Sequence, residues 1–413
     1  MDIVIVSQYL RNIEYFESNN SRFVYLAKLF AKSDENNVEI ITSDFNHIKK
    51  EKFNKVGELT GIKITACHEP GYPKNVCLKR FNSHKKLSKN IKEYLEKRKK
   101  PDIIYCAIPS LAVGETVAKY AKKNGIRFVI DVQDLWPEAF RMVFNIPIIS
   151  SILFYPMKKK ADYIYSIADK IVAVSETYCN RALKANKKVD KGITAFLGTD
   201  LKYFDECKNK NKVEFNDNII RVAYIGTLGY SYDIISVMKA IKLLNDKGIK
   251  NIKFIIMGDG PLKSNFENFA KEHDINCEFT GRLEYEKMVG LLCACDIAVN
   301  PIKSGSAGSI INKVGDYAAA GLPVINSQES KEYRTLVEKC QLGINVYNEK
   351  VNLIADAIEK LYINENIRKT YGNNNRMIAN EKFDREKTYP KIINAITEYE
   401  GWYDFEKNKK NSK

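Results

Sequence analysis

The chain has 413 residues, 45% hydrophobic and 28% charged, with a formal net charge of +15, which suits two soluble domains and excludes a disordered or fibrous chain. No apolar run approaches the ~18 residues of a membrane span, and the N-terminus enters a strand at once, without the basic region or cleavage site of a signal peptide. The nine cysteines are scattered, Cys293 and Cys295 being the closest, as expected of reduced thiols in a cytoplasm rather than of metal ligands.

Strand-like and helix-like segments alternate from the first residues. Ile3 to Ser7 reads as a strand, Arg22 to Phe30 as a helix with Ser21 as its N-cap, and Val38 to Thr42 as a second strand. That unit is Rossmann-like but lacks G-x-G-x-x-G, so a dinucleotide fingerprint is missing. The stretch from Gly71 to Lys100 interrupts the rhythm. Leu87, Ile91, Tyr94 and Leu95 mark one apolar helical face, and basic residues fill the others. From Lys74 to Lys100, eleven Lys/Arg against Glu93 and Glu96 leave a net charge of +9. Such a run suits a nucleic acid, a phosphorylated ligand or an acidic lipid surface, or serves solubility alone. His84, alone in this basic region, reads as a surface residue rather than a catalytic one.

A second βα rhythm follows, with strands at Ile103 to Ala107 and Phe128 to Val132 around a helix from about Ala112. The latter strand runs into Gln133-Asp134-Leu135-Trp136-Pro137-Glu138. Ligands of open α/β sheets gather beyond the carboxyl ends of strands, where Asp134 and Glu138 would meet one. The segment from Ile146 to Tyr165, with Lys158-Lys159-Lys160, suits a membrane surface and packing on the sheet equally. Ile171 to Ser175 is another strand. The N-terminal domain is therefore expected to span 1–204 and a polar linker 205–218. A second domain is expected at 219–384, with strands beginning at Ile220, Phe254, Cys277, Ile297 and Val324. Two such halves would face an interdomain cleft where two substrates meet.

The most telling stretch runs from Asn312 to Asn326. Lys313 and Asp316 share one helical face, Gly321 offers a left-handed C-cap and Pro323 stops the helix. Ser304-Gly305-Ser306-Ala307-Gly308-Ser309 precedes it, a loop rich in free N–H groups that suits an anion. A helix cap with a solvated Lys–Asp ion pair is the plainer alternative.

Six motifs in order resemble the retaining family-4 glycosyltransferases over almost the whole chain. They are Ala173-Val174-Ser175-Glu176, Phe196-Leu197-Gly198-Thr199-Asp200, Ile225-Gly226-Thr227-Leu228, Met257-Gly258-Asp259-Gly260-Pro261, Phe279-Thr280-Gly281-Arg282-Leu283 and Ala319-Ala320-Gly321-Leu322-Pro323-Val324. Asp131 to Glu138 and Tyr72-Pro73-Lys74-Asn75 are similar to the branch that builds bacterial capsule, O-antigen or other surface polysaccharide. The resemblance implies the α/β GT-B fold, two Rossmann-like domains, and a C-terminal helix at about 385–405 packed back on the first. It implies no metal and no cofactor.

It also assigns roles. Asp316 would hold ribose hydroxyls of a nucleotide-sugar donor, and Lys313 would lie nearer the diphosphate. Gly226 and Thr227 would border the donor, Gly308, Ser309 and Ile310 would offer backbone N–H groups to phosphate or sugar, and Arg282 and Leu283 would border the base. Asp134 joins Lys313 and Asp316 as a catalytic candidate, and Asn20, Arg22, Gln133, Asp134 and Glu138 would form the acceptor side. Three departures stand out. The family's first acid falls on Gly308, so its hold on the donor sugar's hydroxyls is either missing or supplied by Ser306 or Asn300. The usual Arg and Lys after Gly226-Thr227-Leu228 are absent, a gap Lys313 would fill. The N-domain histidine falls on Gln133, and the glycine-rich first loop reads Asn19-Asn20-Ser21-Arg22. The expected partners are a nucleotide sugar, a lipid-linked saccharide and an anionic inner membrane face met by Lys74–Lys100, with no nucleic acid. A nucleotide-sugar epimerase of the same fold, or a catalytically silent partner of a transferase complex, is the alternative.

Overall fold

The computed structural model describes residues 1–17, 21–75, 77–143, 152–306 and 310–397. They fall into two compact units, one of Met1–Ala195 with the chain from Tyr389 onward and one of Phe196–Thr388. Each is built on a parallel sheet whose central strands are buried on both faces, as their runs of Val, Ile and Leu require.

The first unit contains β1 (Asp2–Val6), β2 (Asn37–Ser43), a hairpin of β3 (Phe45–Asn46) and β4 (Glu51–Lys52), then β5 (Ile62–Cys67), β6 (Ile103–Ile108), β7 (Arg127–Val132), β8 (Lys170–Ala173) and β9 (Ile193–Thr194). The sheet order is β5-β2-β1-β6-β7-β8-β9, the arrangement of a doubly wound fold. Helix Arg22–Phe30 lays Phe23, Val24, Leu26, Ala27 and Phe30 on the core. Tyr389, Ile392 and Ile396, on one face of helix Arg385–Thr397, bury in the same cluster as Ile3, Ile5 and Tyr105. The C-terminal helix thus belongs to the first unit from Tyr389 onward.

The passage between units comes at Ala195–Phe196, ahead of the boundary expected at 204. Residues 205–210, expected in the linker, belong to helix Leu201–Lys210: Asp200 caps it by accepting from the Tyr203 N–H, and Leu201, Phe204 and Cys207 bury in the second unit's core. The polar surface of this helix hides three buried positions, which is why it reads as a linker. Residues 211–218 carry neither helix nor strand.

The second unit repeats the pattern with β10 (Ile220–Ile225), β11 (Ile252–Met257), β12 (Cys277–Gly281), β13 (Ile297–Asn300), β14 (Val324–Asn326) and β15 (Gly343–Asn345), ordered β12-β11-β10-β13-β14-β15. The strand order reverses between β10 and β13, leaving a crevice beyond their carboxyl ends. The backbone there is held close. A Cβ on Gly258 would fall 1.8 Å from the Gly226 carbonyl oxygen, so only glycine lets the turns after β10 and β11 touch. Helix Lys313–Ala319 ends as expected, with Gly321 in the left-handed region at φ 69°.

Candidate active site

Lys313 opens its helix and turns toward the end of β10. It is 8% exposed, and its ammonium lies 3.9 Å from the Tyr224 ring centroid and 4.1 Å from that of Tyr232. Its Nζ has no hydrogen-bond partner, and burial pushes its pKa well below the ordinary lysine value. A Cβ on Gly226, at φ 131°, would stand 3.1 Å from that Nζ, so only glycine lets the backbone cradle the ammonium this closely. A buried cation without a counter-ion is costly. Two aromatic faces offset part of that cost, and nothing else among the described residues hydrogen-bonds to the Nζ.

Asp316 lies one helical turn on, but it does not pair with Lys313, contrary to the solvated ion pair that spacing alone allows. Its Oδ1 accepts from Thr199 Oγ1 at 2.9 Å and from the Tyr285 hydroxyl at 3.0 Å. Both bonds fall on one oxygen and hold the carboxylate while Oδ2 stays available. Burial raises its pKa, and the two hydroxyls counter that rise. Tyr285 in turn stacks on Tyr203, with ring centroids 5.9 Å apart and planes 9° apart. Thr199, Tyr285 and Tyr224 were not nominated from sequence.

The other donor-side candidates divide. Gly226 and Thr227 are exposed at the end of β10. Arg282 is exposed after Gly281, which has φ 70°, at the end of β12, while Leu283 packs half-buried on the core. The Ile310 side chain is buried in that core. Gly308 and Ser309 lie outside the described residues, as does Asn20. The start of their loop is anchored by Glu329, whose carboxylate accepts from Ser304 Oγ at 2.7 Å and the Gly305 N–H at 3.0 Å. Those two bonds hold that carboxyl below its usual pKa.

In the first unit, Arg22 and Gln133 meet around Asp131, a residue not nominated from sequence. Arg22 Nε donates to Asp131 Oδ2 at 2.7 Å, Gln133 Nε2 donates to Oδ1 at 2.6 Å, and the Tyr105 hydroxyl donates to Oδ2 at 2.5 Å. Arg22 also donates to the Ala195 carbonyl, so this guanidinium ties strands together at 4% exposure. Asp134 accepts from the Leu135 N–H, Trp136 Nε1 and the Tyr178 hydroxyl, while burial raises its pKa. Those bonds make it a clamp on its own loop. Glu138 accepts from Arg181 Nε at 2.5 Å, and Arg181 also holds Asp162.

The surface reading of His84 is overturned. It is 2% exposed, its Nε2 lies 3.2 Å from the Tyr9 hydroxyl, and its ring stacks near Trp136. The helix Leu78–Lys97 turns Arg80, Ser83 and His84 inward ahead of Leu87, a polar stripe that hydrophobic spacing cannot reveal. Burial, with Arg80 and His47 nearby, lowers the His84 pKa to about 3. The sign of the pH dependence follows. The unfolded chain binds a proton below about pH 6.5 that the folded site refuses, so stability falls as pH drops through that window. His84→Asn should flatten the loss, about 2 kcal/mol between pH 6.5 and 5; denaturant titrations at both values measure it. An unchanged slope would contradict the buried neutral ring.

Among the described residues, no three His, Cys, Asp or Glu side chains group as metal ligands, and no helix is long and apolar enough to cross a membrane.

Residues 205–377 match the family described as Glycosyl transferases group 1. The chain is 25% identical over 239 residues to a protein of Methanocaldococcus jannaschii named as an uncharacterized glycosyltransferase, covering 56% of this chain and 60% of that one. It is 23% identical over 371 residues to the Staphylococcus aureus capsular polysaccharide biosynthesis glycosyltransferase CapM, covering 86% of this chain and 88% of that one. Its fold is similar to the solved sucrose-phosphate synthase of Thermosynechococcus elongatus, at a TM-score of 0.71 and 14% identity over 96% of this chain and 98% of that one.

Proposed function

We propose that this chain, whose residues 205–377 match the family described as Glycosyl transferases group 1, moves a sugar from a nucleotide-sugar donor to a lipid-linked saccharide in bacterial surface-polysaccharide synthesis. Retention at the anomeric carbon is part of the proposal. The observation that carries it is the unpaired, buried Lys313 ammonium beside the Gly226 cradle. As the bond from the anomeric carbon to the diphosphate breaks, its electron pair goes to the departing phosphate oxygen, and a fixed cation there stabilises the growing charge. Asp316 supports the ribose end through Oδ2. The acceptor hydroxyl forms the new bond from the face that the diphosphate leaves, and its proton passes to the departing oxygen or to water. Nothing in this scheme calls for a metal.

The surface of the first unit favours a membrane-bound acceptor. Leu78 and Phe81 are 82% and 48% exposed at the start of helix Leu78–Lys97, and Leu153 is 64% exposed. Phe81 and Leu153 line one cavity of about 140 Å³ with Arg80, His84, Trp136 and Phe140. Of the basic residues in this run, the lysines are the exposed ones. Arg80 is buried, and Arg98 pairs with Asp2 and Glu39. Apolar tips among lysines suit an interfacial contact, in which each nearby lysine adds about 1 kcal/mol. A Leu78→Ser/Phe81→Ser double variant should lose most sedimentation with vesicles rich in anionic lipid. Equal pelleting of variant and wild type, or pelleting insensitive to salt, would remove the membrane from the proposal.

Incubation with uridine, guanosine and adenosine diphosphate sugars, with and without diphosphate-lipid saccharides from bacterial membranes, tests the reaction itself. Nucleoside diphosphate should appear only with acceptor present. Interconversion of sugars without acceptor would identify an epimerase, and the absence of turnover throughout would favour a silent partner.

A further inference from the structure

Three neighbouring strands, β13, β14 and β15, all end in asparagine. Asn300, Asn326 and Asn345 are register partners across the parallel sheet and form a ladder of side-chain amides. Asn300 Nδ2 donates to Asn326 Oδ1 at 2.8 Å, and Asn326 Nδ2 donates to Asn345 Oδ1 at 2.8 Å.

Amide orientation is ordinarily ambiguous, but backbone groups fix it here. The Gln328 N–H donates to Asn326 Oδ1 at 3.1 Å, so that atom must be oxygen. At the far end, Asn345 Nδ2 donates to the Arg334 carbonyl at 2.9 Å, so that atom must be nitrogen. Every donor therefore points from β13 toward β15, and Asn300 must present its nitrogen to Asn326. The other branch of its amide, Oδ1, is left without a partner in a residue that is 0% exposed. Buried acceptors are normally satisfied.

The position of this orphan suggests what it awaits. β13 lies beside β10, whose end carries Gly226, across the point where the strand order reverses. Tyr232, whose ring faces the Lys313 ammonium, bridges to Ile302 two residues past Asn300. An acceptor thus sits at the end of the strand next to the anion cradle. A diphosphate at neutral pH offers no hydrogen to donate, and Asp316 already serves the ribose. The base would lie at Arg282, past the end of β12, on the opposite side of β10 from β13.

Resting on the donor-site reading above, we infer that Asn300 Oδ1 accepts a hydrogen bond from a hydroxyl or amide N–H of the donor's glycosyl group, and that the asparagine ladder aims it there. Asn300 is thereby a specificity-determining contact for the sugar, and Asn326 and Asn345 are positioning residues.

The test compares nucleoside diphosphates (UDP, GDP and ADP) with UDP-glucose, UDP-N-acetylglucosamine, GDP-mannose and ADP-glucose by calorimetry on wild type, Asn300→Ala and Asn345→Ala. Asn300→Ala should bind the diphosphate within about twofold of wild type and its nucleotide sugar about tenfold more weakly, the scale of one missing hydrogen bond to a buried acceptor. Asn345→Ala should bind the diphosphate within about twofold and its nucleotide sugar about threefold more weakly, because Asn326 loses the partner that holds its amide toward Asn300. Should Asn300→Ala not fold, monodeoxy nucleotide sugars on the wild-type protein give the same answer, with one position losing about tenfold. Equal losses for diphosphate and nucleotide sugar, no loss for either, or indifference to every deoxy position would overturn the inference while leaving the donor site in place. If neither diphosphates nor nucleotide sugars bind the wild type, the donor-site reading falls and the inference falls with it.

Discussion

Lys313→Met should lower glycosyl transfer by about 10²–10³-fold, the effect of removing one preorganised stabiliser of a developing negative charge, and should make the ligand-free protein more stable. The two effects have one cause. In the ligand-free protein the ammonium is buried against Tyr224 and Tyr232 with no hydrogen-bond partner, and its pKa lies well below the ordinary lysine value. The folded site therefore holds its proton less tightly than the unfolded chain does. At neutral pH that difference opposes folding, and stability rises with pH toward the unfolded lysine value. Methionine fills similar volume without the charge, so the apparent Tm at pH 7 should rise, by roughly 2–4 °C for each kcal/mol relieved, and the gain should shrink toward pH 10. Thermal melts at pH 7 and pH 10, paired with transfer rates, measure both halves. A variant less stable than wild type at pH 7, or one that keeps its rate, would contradict the role given to this side chain.

Asp316→Asn should weaken nucleoside diphosphate binding by about 10- to 100-fold, the range for a hydrogen bond to a charged group, without unfolding the protein. The amide oxygen can still accept from Thr199 and Tyr285, as Oδ1 does now. The other position becomes an N–H₂ donor where the ribose hydroxyls of the proposed nucleotide would need an acceptor. Burial raises the carboxyl's pKa in the folded state, so its charge opposes folding at neutral pH and the amide should leave ligand-free stability unchanged or higher. Calorimetric titration with UDP, GDP and ADP measures the first effect, and melting without ligand the second. Unaltered affinity in a folded variant would take Asp316 out of the donor site.

The alternation of strands and helices, the glycine stop at Gly321 and the candidacy of Lys313 and Asp316 were all legible in the sequence, because each rests on local periodicity or on motif order. What the sequence could not show lies in contacts between distant segments. Thr199 reaches Asp316 across 117 residues, and Arg22 reaches Asp131 across 109. Lys313 and Asp316 share a helix face as expected, yet tertiary partners on different segments separate them. His84 and Arg80 bury on the inward side of a basic helix, where no apolar spacing announces them. The asparagine ladder is also invisible along the chain, since only the sheet register aligns residues 300, 326 and 345. The helix over Leu201–Lys210 was hidden by composition, because its lysines and acids outnumber the three residues that bury.

The central claim is that the 196–388 unit holds a nucleotide-sugar donor between Lys313 and Asp316. A thermal-shift panel of nucleoside diphosphates and their sugars on wild type, Lys313→Met and Asp316→Asn tests it most directly. One base class should stabilise the wild type by about 2.7 kcal/mol at a hundred times its dissociation constant, and both variants should lose most of that gain. No shift with any nucleotide, or full stabilisation retained in both variants, would contradict it.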